Sequence, residues 1–200
     1  MGIAERKQRQ KTEVRAAILQ AAWELVQKDG WQSLSIRKIA DAIEYSVPVI
    51  YDHFENKNDI LLEFVKEGFQ GLLDALRAVQ QQHTEPEAQI TAMAYAYWDY
   101  ALANKAHYRL MFGVGMNTCE AFQKVAPLCE IGQLVEAAIR GVAAGNPHPV
   151  DIVIKFQALW SILHGISAAS IMDHMFAPYG HNGDQVFADI VQNFIRGLKE

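Results

Sequence analysis

Apolar residues recur at helical spacing along almost the whole chain. From Thr12 to Lys28 they fall at Val14, Ile18, Ala21, Ala22, Leu25 and Val26, and Gly30 follows where a C-cap glycine belongs. The spacing predicts a first helix over 12–28, with Trp31 and Leu34 plugging the junction behind it. Ile36, Ile39, Ala40 and Ile43 then stand at i, i+3, i+4 and i+7, one face of a short helix that Ser35 is placed to cap. Glu44-Tyr45 makes a break. Ser46 can cap a third helix with Pro48 in its first turn, where a missing N–H costs little. That helix is only about two turns long and ends in Tyr51-Asp52-His53-Phe54.

Asn56 starts the next cap, with Asp59 three residues on in a box-like arrangement. The helix it opens runs through Ile60, Leu61, Phe64, Val65, Phe69, Leu72, Leu73 and Leu76 to Gln80-Gln81-Gln82-His83. Gly68 and Gly71 lie inside it and lower its stiffness. Pro86 opens a helix that reaches Asn104 and is dense in aromatics: Tyr95, Tyr97, Trp98 and Tyr100. His107 to Phe112 reads as a short helix closed by Gly113 and Gly115, and Thr118 to Val142 as another, bent near Pro127. Asn146-Pro147-His148-Pro149 is a loop signal. Val150 to Phe176 is apolar nearly all round, which implies burial on more than one side. After a second break over 178–183, Asp184 to Leu198 sets Val186, Phe187, Ile190, Val191, Phe194 and Ile195 on one face. No strand pattern, repeat or low-complexity segment interrupts this. The expected fold is all-α: a three-helix head over 1–58, joined by a long helix to a second helical domain over 59–200.

A helix as short as the third does not hold itself together in water. Neighbours must brace it, and chains expose so small an element in order to present it. The evident use is a helix-turn-helix whose second helix enters the DNA major groove. Charge supports this by its distribution. The 18 Lys/Arg against 23 Asp/Glu leave a net -5, which argues against a sequence-blind nucleic-acid coat. Residues 1–58 hold nine basic and eight acidic residues, a balance of +1; the remainder hold nine and fifteen, a balance of -6. Arg6, Lys7, Arg9, Lys11 and Arg15 oppose only Glu5 and Glu13, a basic arm suited to phosphate contact, with a solvated tail as the plain alternative.

Composition removes other classes. Cys119 and Cys129 are too few for a disulfide framework and are expected to be reduced thiols, neither with an activating base beside it. No apolar h-region follows the N-terminal charges, and no run approaches the roughly twenty apolar residues of a membrane span, so a cytoplasmic protein is expected. Asp173, His174 and His181 match no metal-ligand spacing. With no nucleophile–base pair or phosphate loop either, neither an enzyme nor a cofactor is expected. Two long, apolar C-terminal helices instead suggest a homodimer. Two-fold pairing would set two reading helices about 34 Å apart or more, on palindromic operator DNA.

Three features make the N-terminal segment resemble the TetR family of transcriptional regulators. They are the Leu34-Ser35-Ile36-Arg37-Lys38-Ile39-Ala40 entry, the Ser46–Phe54 stretch with its Tyr-x-x-Phe, and the Asn-Lys-x-x-Ile/Leu cap that follows. The second half resembles the family's regulatory domain more loosely. Ala106–Phe112 and Trp160 with His164-Gly165 look like a subgroup with a Trp/His/Gly signature. The resemblance implies a dimeric repressor or, less often, an activator, released by a small molecule that enters the C-terminal domain and shifts the linking helix. The sequence departs from the pattern at the turn, where members commonly carry a glycine near Glu44. Val47, Pro48 and Val49 are apolar where hydrogen-bonding readers are expected, leaving contact with thymine methyl groups. An adaptor that keeps the shape but no longer reads DNA is the competing reading.

Candidate DNA contacts follow from position. Tyr51 and His53 are placed for phosphates, Arg37 and Lys38 for charge at the groove edge, and Tyr45, Val47 and Val49 for base edges, with Ser46 at the helix start. Lys57 lies near a helix N-terminus, where free N–H groups hold a phosphate. Candidates for an effector pocket are Tyr95, Trp98, Met111, Phe112, Met116, Phe122, Trp160, His164 and Met172, each weighed against ordinary core packing. His164 is the most informative, a polar group in an almost wholly apolar helix that needs a partner if buried.

Overall fold

The structure is a computed structural model that describes residues 2–113, 125–171 and 183–200. Among these residues there are nine α-helices and no strand: α1 (Ile3–Asp29), α2 (Ile36–Ala42), α3 (Val47–Tyr51), α4 (Lys57–Gln80), α5 (Pro86–Ala103), α6 (Lys105–Gly113), α7 (Ala126–Ala143), α8 (Ile152–Ile171) and α9 (Gly183–Lys199). A 3-10 turn, Trp31–Ser33, joins α1 to α2. The all-α expectation is met. Two compact units divide the chain, Met1–Glu67 with Ala106–Gly115, and Gly68–Lys105 with Met116–Glu200. The division therefore falls inside α4, later than residue 58, and nearly all of α6 joins the first unit.

In the first unit Ile18, Ile39, Ile50 and Ile60, one from each of α1 to α4, are all 0% exposed. Burying each is worth roughly 1.5–3 kcal/mol, and this shared centre holds a five-residue α3 that has no stability of its own. The caps agree with their sequence signals. The Ser35 hydroxyl accepts from the Lys38 N–H at 3.3 Å. Asn56 Oδ1 accepts from the Asn58 and Asp59 amides at 2.8 and 3.2 Å. Gly30 takes φ 79° and its N–H donates to the Val26 carbonyl, closing α1. Ser46 occupies the N-cap of α3 without a side-chain capping bond.

Two boundaries differ from the sequence reading. α1 begins at Ile3, nine residues before Thr12, because Glu, Arg, Lys and Gln over 5–11 are good helix formers even without an apolar stripe. Pro127 stands in the first turn of α7 and so starts that helix instead of bending one; Thr118 and Cys119 lie outside the described residues.

The second unit packs α5 against α7, α8 and α9. Ile90, Met93, Ala94, Tyr97, Trp98 and Ala101 of α5 are buried, and Phe187 of α9 sits at 5.0 Å from the Tyr95 ring and 4.6 Å from the Trp98 ring. α8 departs from its sequence reading. Its 18-residue window has a mean hydropathy of 1.4, enough by length and composition to cross a membrane, yet only 22% of that window is buried within the chain. Val153 and Ile154 are 53% and 61% exposed. Much of the apolar surface of α8 is thus turned outward.

Candidate nucleic-acid interface and effector region

Glu44 makes the turn of the helix-turn-helix at φ 58°, the only positive φ outside glycine among the described residues. A left-handed residue with a Cβ is strained, and Tyr45 N–H, donating to the Ala40 carbonyl at 3.0 Å, closes the turn around it. The glycine expected there is replaced by a carboxylate side chain that lies exposed. Around this turn the predicted DNA contacts come together on the surface. Tyr45 and Tyr51, at the two ends of α3, are 45% and 53% exposed. Ser46, Arg37 and Lys38 are exposed, and Val47 and Val49 are half-buried. Lys57 opens α4, but the neighbouring amides of Asn58 and Asp59 are already taken by Asn56.

The structure adds to this set. The first turns of α1, exposed from Ala4 to Glu13, run beside α3 as a helix and not as a loose tail. An open groove of about 540 Å³ is lined by Lys7, Gln10, Lys11, Val14, Tyr45, Val49, Asp52 and His53. Two ammonium groups, the Asp52 carboxylate and the His53 ring thus border one groove. A phosphate oxygen fits the two ammonium groups, while the His53 Nδ1 is buried with no hydrogen-bond partner and does not face the groove. Arg15 does not belong to it. Its guanidinium bonds Glu63 Oε2 at 2.7 Å and lies 5.0 Å above the Phe54 ring, so it braces α1 on α4. Burial raises the Glu63 carboxyl, but hydrogen bonds from Arg15 and Lys66 outweigh it and leave Glu63 below the usual value.

The effector candidates are dispersed. Trp160 faces an enclosed seam of the second unit together with Leu76, Ile90, Met93, Ala94, Tyr97, Val135, Phe156, Leu159 and Leu163. The seam is apolar apart from the Tyr97 hydroxyl, the Trp160 indole nitrogen and the Met93 thioether, and at about 20 Å³ it admits about one water. Trp160 also borders an open groove of about 470 Å³ between α7 and α8 with Cys129, Gly132, Gln133 and Gln157. His164 is half-buried, and burial pushes its pKa down, which favours the neutral ring. Tyr95 and Trp98 pack on Phe187 and do not line the seam. Met111 and Phe112 sit on α6 in the first unit, where Phe112 packs on Tyr108 at 4.7 Å. Met116, Phe122 and Met172 lie outside the described residues, as do Asp173, His174 and His181. Sequence reasoning missed Ile90, Met93 and Tyr97 as a lining set, although their i, i+3, i+7 spacing marks one face of α5.

A reading helix beside a basic helical extension in one unit, with a second, separately packed helical unit in the same chain, is the architecture of a DNA-binding regulator. Residues 18–64 match the family described as "Bacterial regulatory proteins, tetR family". Residues 90–194, more than half the chain, match "Tetracyclin repressor-like, C-terminal domain". The chain belongs to the TetR family of transcriptional regulators. Over 200 residues it is 25% identical to the HTH-type transcriptional regulator Rv0681 of Mycobacterium tuberculosis, covering 92% of this chain and 81% of that protein. Over 100 residues it is 28% identical to the HTH-type transcriptional activator FasR of Mycolicibacterium smegmatis; that match takes in 50% of this chain and about half, 46%, of FasR. Among solved structures it is similar to a protein of unknown function from Rhodococcus sp. RHA1, with TM-score 0.77, 25% identity, and 93% and 95% of the two chains covered.

Proposed function

We propose that this regulator binds a palindromic operator as a homodimer and represses until a small molecule enters the second unit and releases it. The observation that carries the DNA reading is the surface formed by α3, the Glu44 turn and the first turns of α1, where Tyr45, Tyr51, Lys7, Lys11 and His53 are grouped. The dimer reading is supported by Val153 and Ile154 on α8 and by the groove between α7 and α8, apolar surface that a second copy would cover. Pairing of two copies would double the number of base pairs read. The apolar seam behind Trp160 supports a largely apolar effector. Such a regulator would work in the cytoplasm, where its operator is.

Activation is the second reading, favoured by the similarity to FasR, a transcriptional activator. A reporter driven by the bound promoter separates the two by the sign of the response to deletion of the regulator. An adaptor that has lost DNA recognition is tested by titration against the promoters of its own and neighbouring genes. The regulator is expected to bind, with an affinity that drops steeply as salt rises. Tyr51→Ala and His53→Ala are expected to weaken binding by a similar factor on different operators, as phosphate contacts do. A loss confined to one base-pair position contradicts that role, and no binding at low salt to any fragment contradicts the DNA reading itself.

A further inference from the structure

We propose that Tyr100 is a positioning residue: its phenol is a pin that fastens α4 at the point where that helix passes out of the second unit. The proposal rests on the ligand-responsive reading above and names the contact through which α5 would act on α4.

The geometry is specific. The Tyr100 hydroxyl donates to the Gly68 carbonyl at 2.7 Å. Gly68 is buried and is the first residue of the second unit along α4. Its carbonyl lies in the interior of the helix, where it already serves the backbone ladder, so the phenol is a second donor on one acceptor. One turn on, Gly71 leaves room for the ring. A Cβ built there would stand 2.8 Å from Tyr100 Oη, closer than real Cβ atoms approach, and a tight 3.1 Å from Cε2. Two glycines inside a helix weaken it, and here the second of them is what lets the phenol reach the backbone. That accounts for glycine at 71 in the middle of a long helix.

Position on α5 gives the pin its consequence. Tyr97, three residues before Tyr100 and on the adjoining face of the helix, walls the apolar seam and meets the Trp160 ring edge-on at 5.5 Å. The seam holds no more than about one water as it stands, so anything larger must move its walls. A displacement of α5 at Tyr97 is carried to Tyr100 within one turn, and from there to Gly68. Loosening the pin frees α4 at its glycine pair and changes how the first unit is presented to DNA.

The test uses the full-length chain, with Tyr100→Phe to keep the ring but remove the donor, and Gly71→Ala to close the slot. Backbone hydrogen exchange is measured for both beside the wild type. The expected result is exchange at least tenfold faster for amides 69–76 of α4, with those of α7 and α9 within twofold of wild type. Affinity for a duplex selected with the wild-type chain should change threefold or more in both variants. Exchange that rises by one common factor through α4, α5, α7 and α9 would mark the phenol as ordinary packing and overturn the proposal. Unchanged exchange in α4 would overturn it as well. Should Tyr100→Phe fail to fold, Gly71→Ala decides by the same comparison. A wild-type chain that selects no duplex contradicts the regulator reading and with it the pin's consequence for DNA, whereas the exchange comparison judges the contact by itself.

Discussion

His107 shows how a single side chain in the first unit carries a measurable consequence. It stacks on Trp23 with centroids 4.0 Å apart, and its buried Nε2 makes no hydrogen bond, although Glu67 Oε2 stands 3.9 Å away. Burial lowers its pKa below the ordinary 6.5, and the exposed Glu67 carboxylate only partly opposes this. Below pH 6.5 the unfolded chain takes up a proton that the folded chain resists, so folding stability falls as the pH is lowered toward the depressed value, and levels off beneath it. His107→Gln, neutral throughout, is expected to lose less stability than wild type between pH 7.5 and 5.5, as read by denaturant midpoints. Equal losses would mean that the imidazole is not desolvated in the native state. Glu44 is the other residue whose environment matters. Its φ of 58° was visible in the sequence only as a missing glycine, because the chain tolerates the strain where its neighbours fix the turn.

At the scale of elements, most of the head was legible. Ser35, the Ile39 face, Pro48 and the Asn56 cap are local signals, and each local signal agrees with the tertiary packing around Ile18, Ile50 and Ile60. What local pattern does not encode is the extension of α1. Residues 4–13 are exposed all round and have no apolar periodicity to read, so only helix propensity speaks for them. The extension turns a supposed arm into a rigid element that holds Lys7 and Lys11 beside His53. Each phosphate neutralised contributes about 0.9 to the slope of log affinity against log salt. The double variant Lys7→Ala/Lys11→Ala is therefore expected to flatten that slope by about 1–2 with an unchanged melting temperature. A slope equal to wild type would remove α1 from the interface. The effector region was less legible. Aromatic residues on helices report burial, not whether the burial is around a cavity: Trp160 lines the seam, whereas Tyr95 and Trp98 pack on Phe187 and Phe112 packs on Tyr108.

For the whole molecule, the outward apolar face of α8 is the feature that most demands an explanation. A chain that buries Leu159, Leu163 and Ile166 on one side of a helix while leaving Val153 and Ile154 exposed on another has a surface that water does not favour. On the proposed pairing through α8, Ile154→Glu with Val153→Glu is expected to shift the proposed dimer to monomer in sedimentation equilibrium, with helical content unchanged. A variant that stays dimeric would move the interface off α8.

Recognition of DNA would rest on two copies of this chain reading an inverted repeat through α3, as proposed above. Selection from a random duplex library with the full-length protein tests it most directly, followed by binding titration of the winners at two salt concentrations. The expected result is enrichment of two inverted half-sites whose centres lie about one helical turn or more apart, bound by two chains and weakened steeply by salt. A single unpaired half-site, or no enrichment over the starting library, would contradict it.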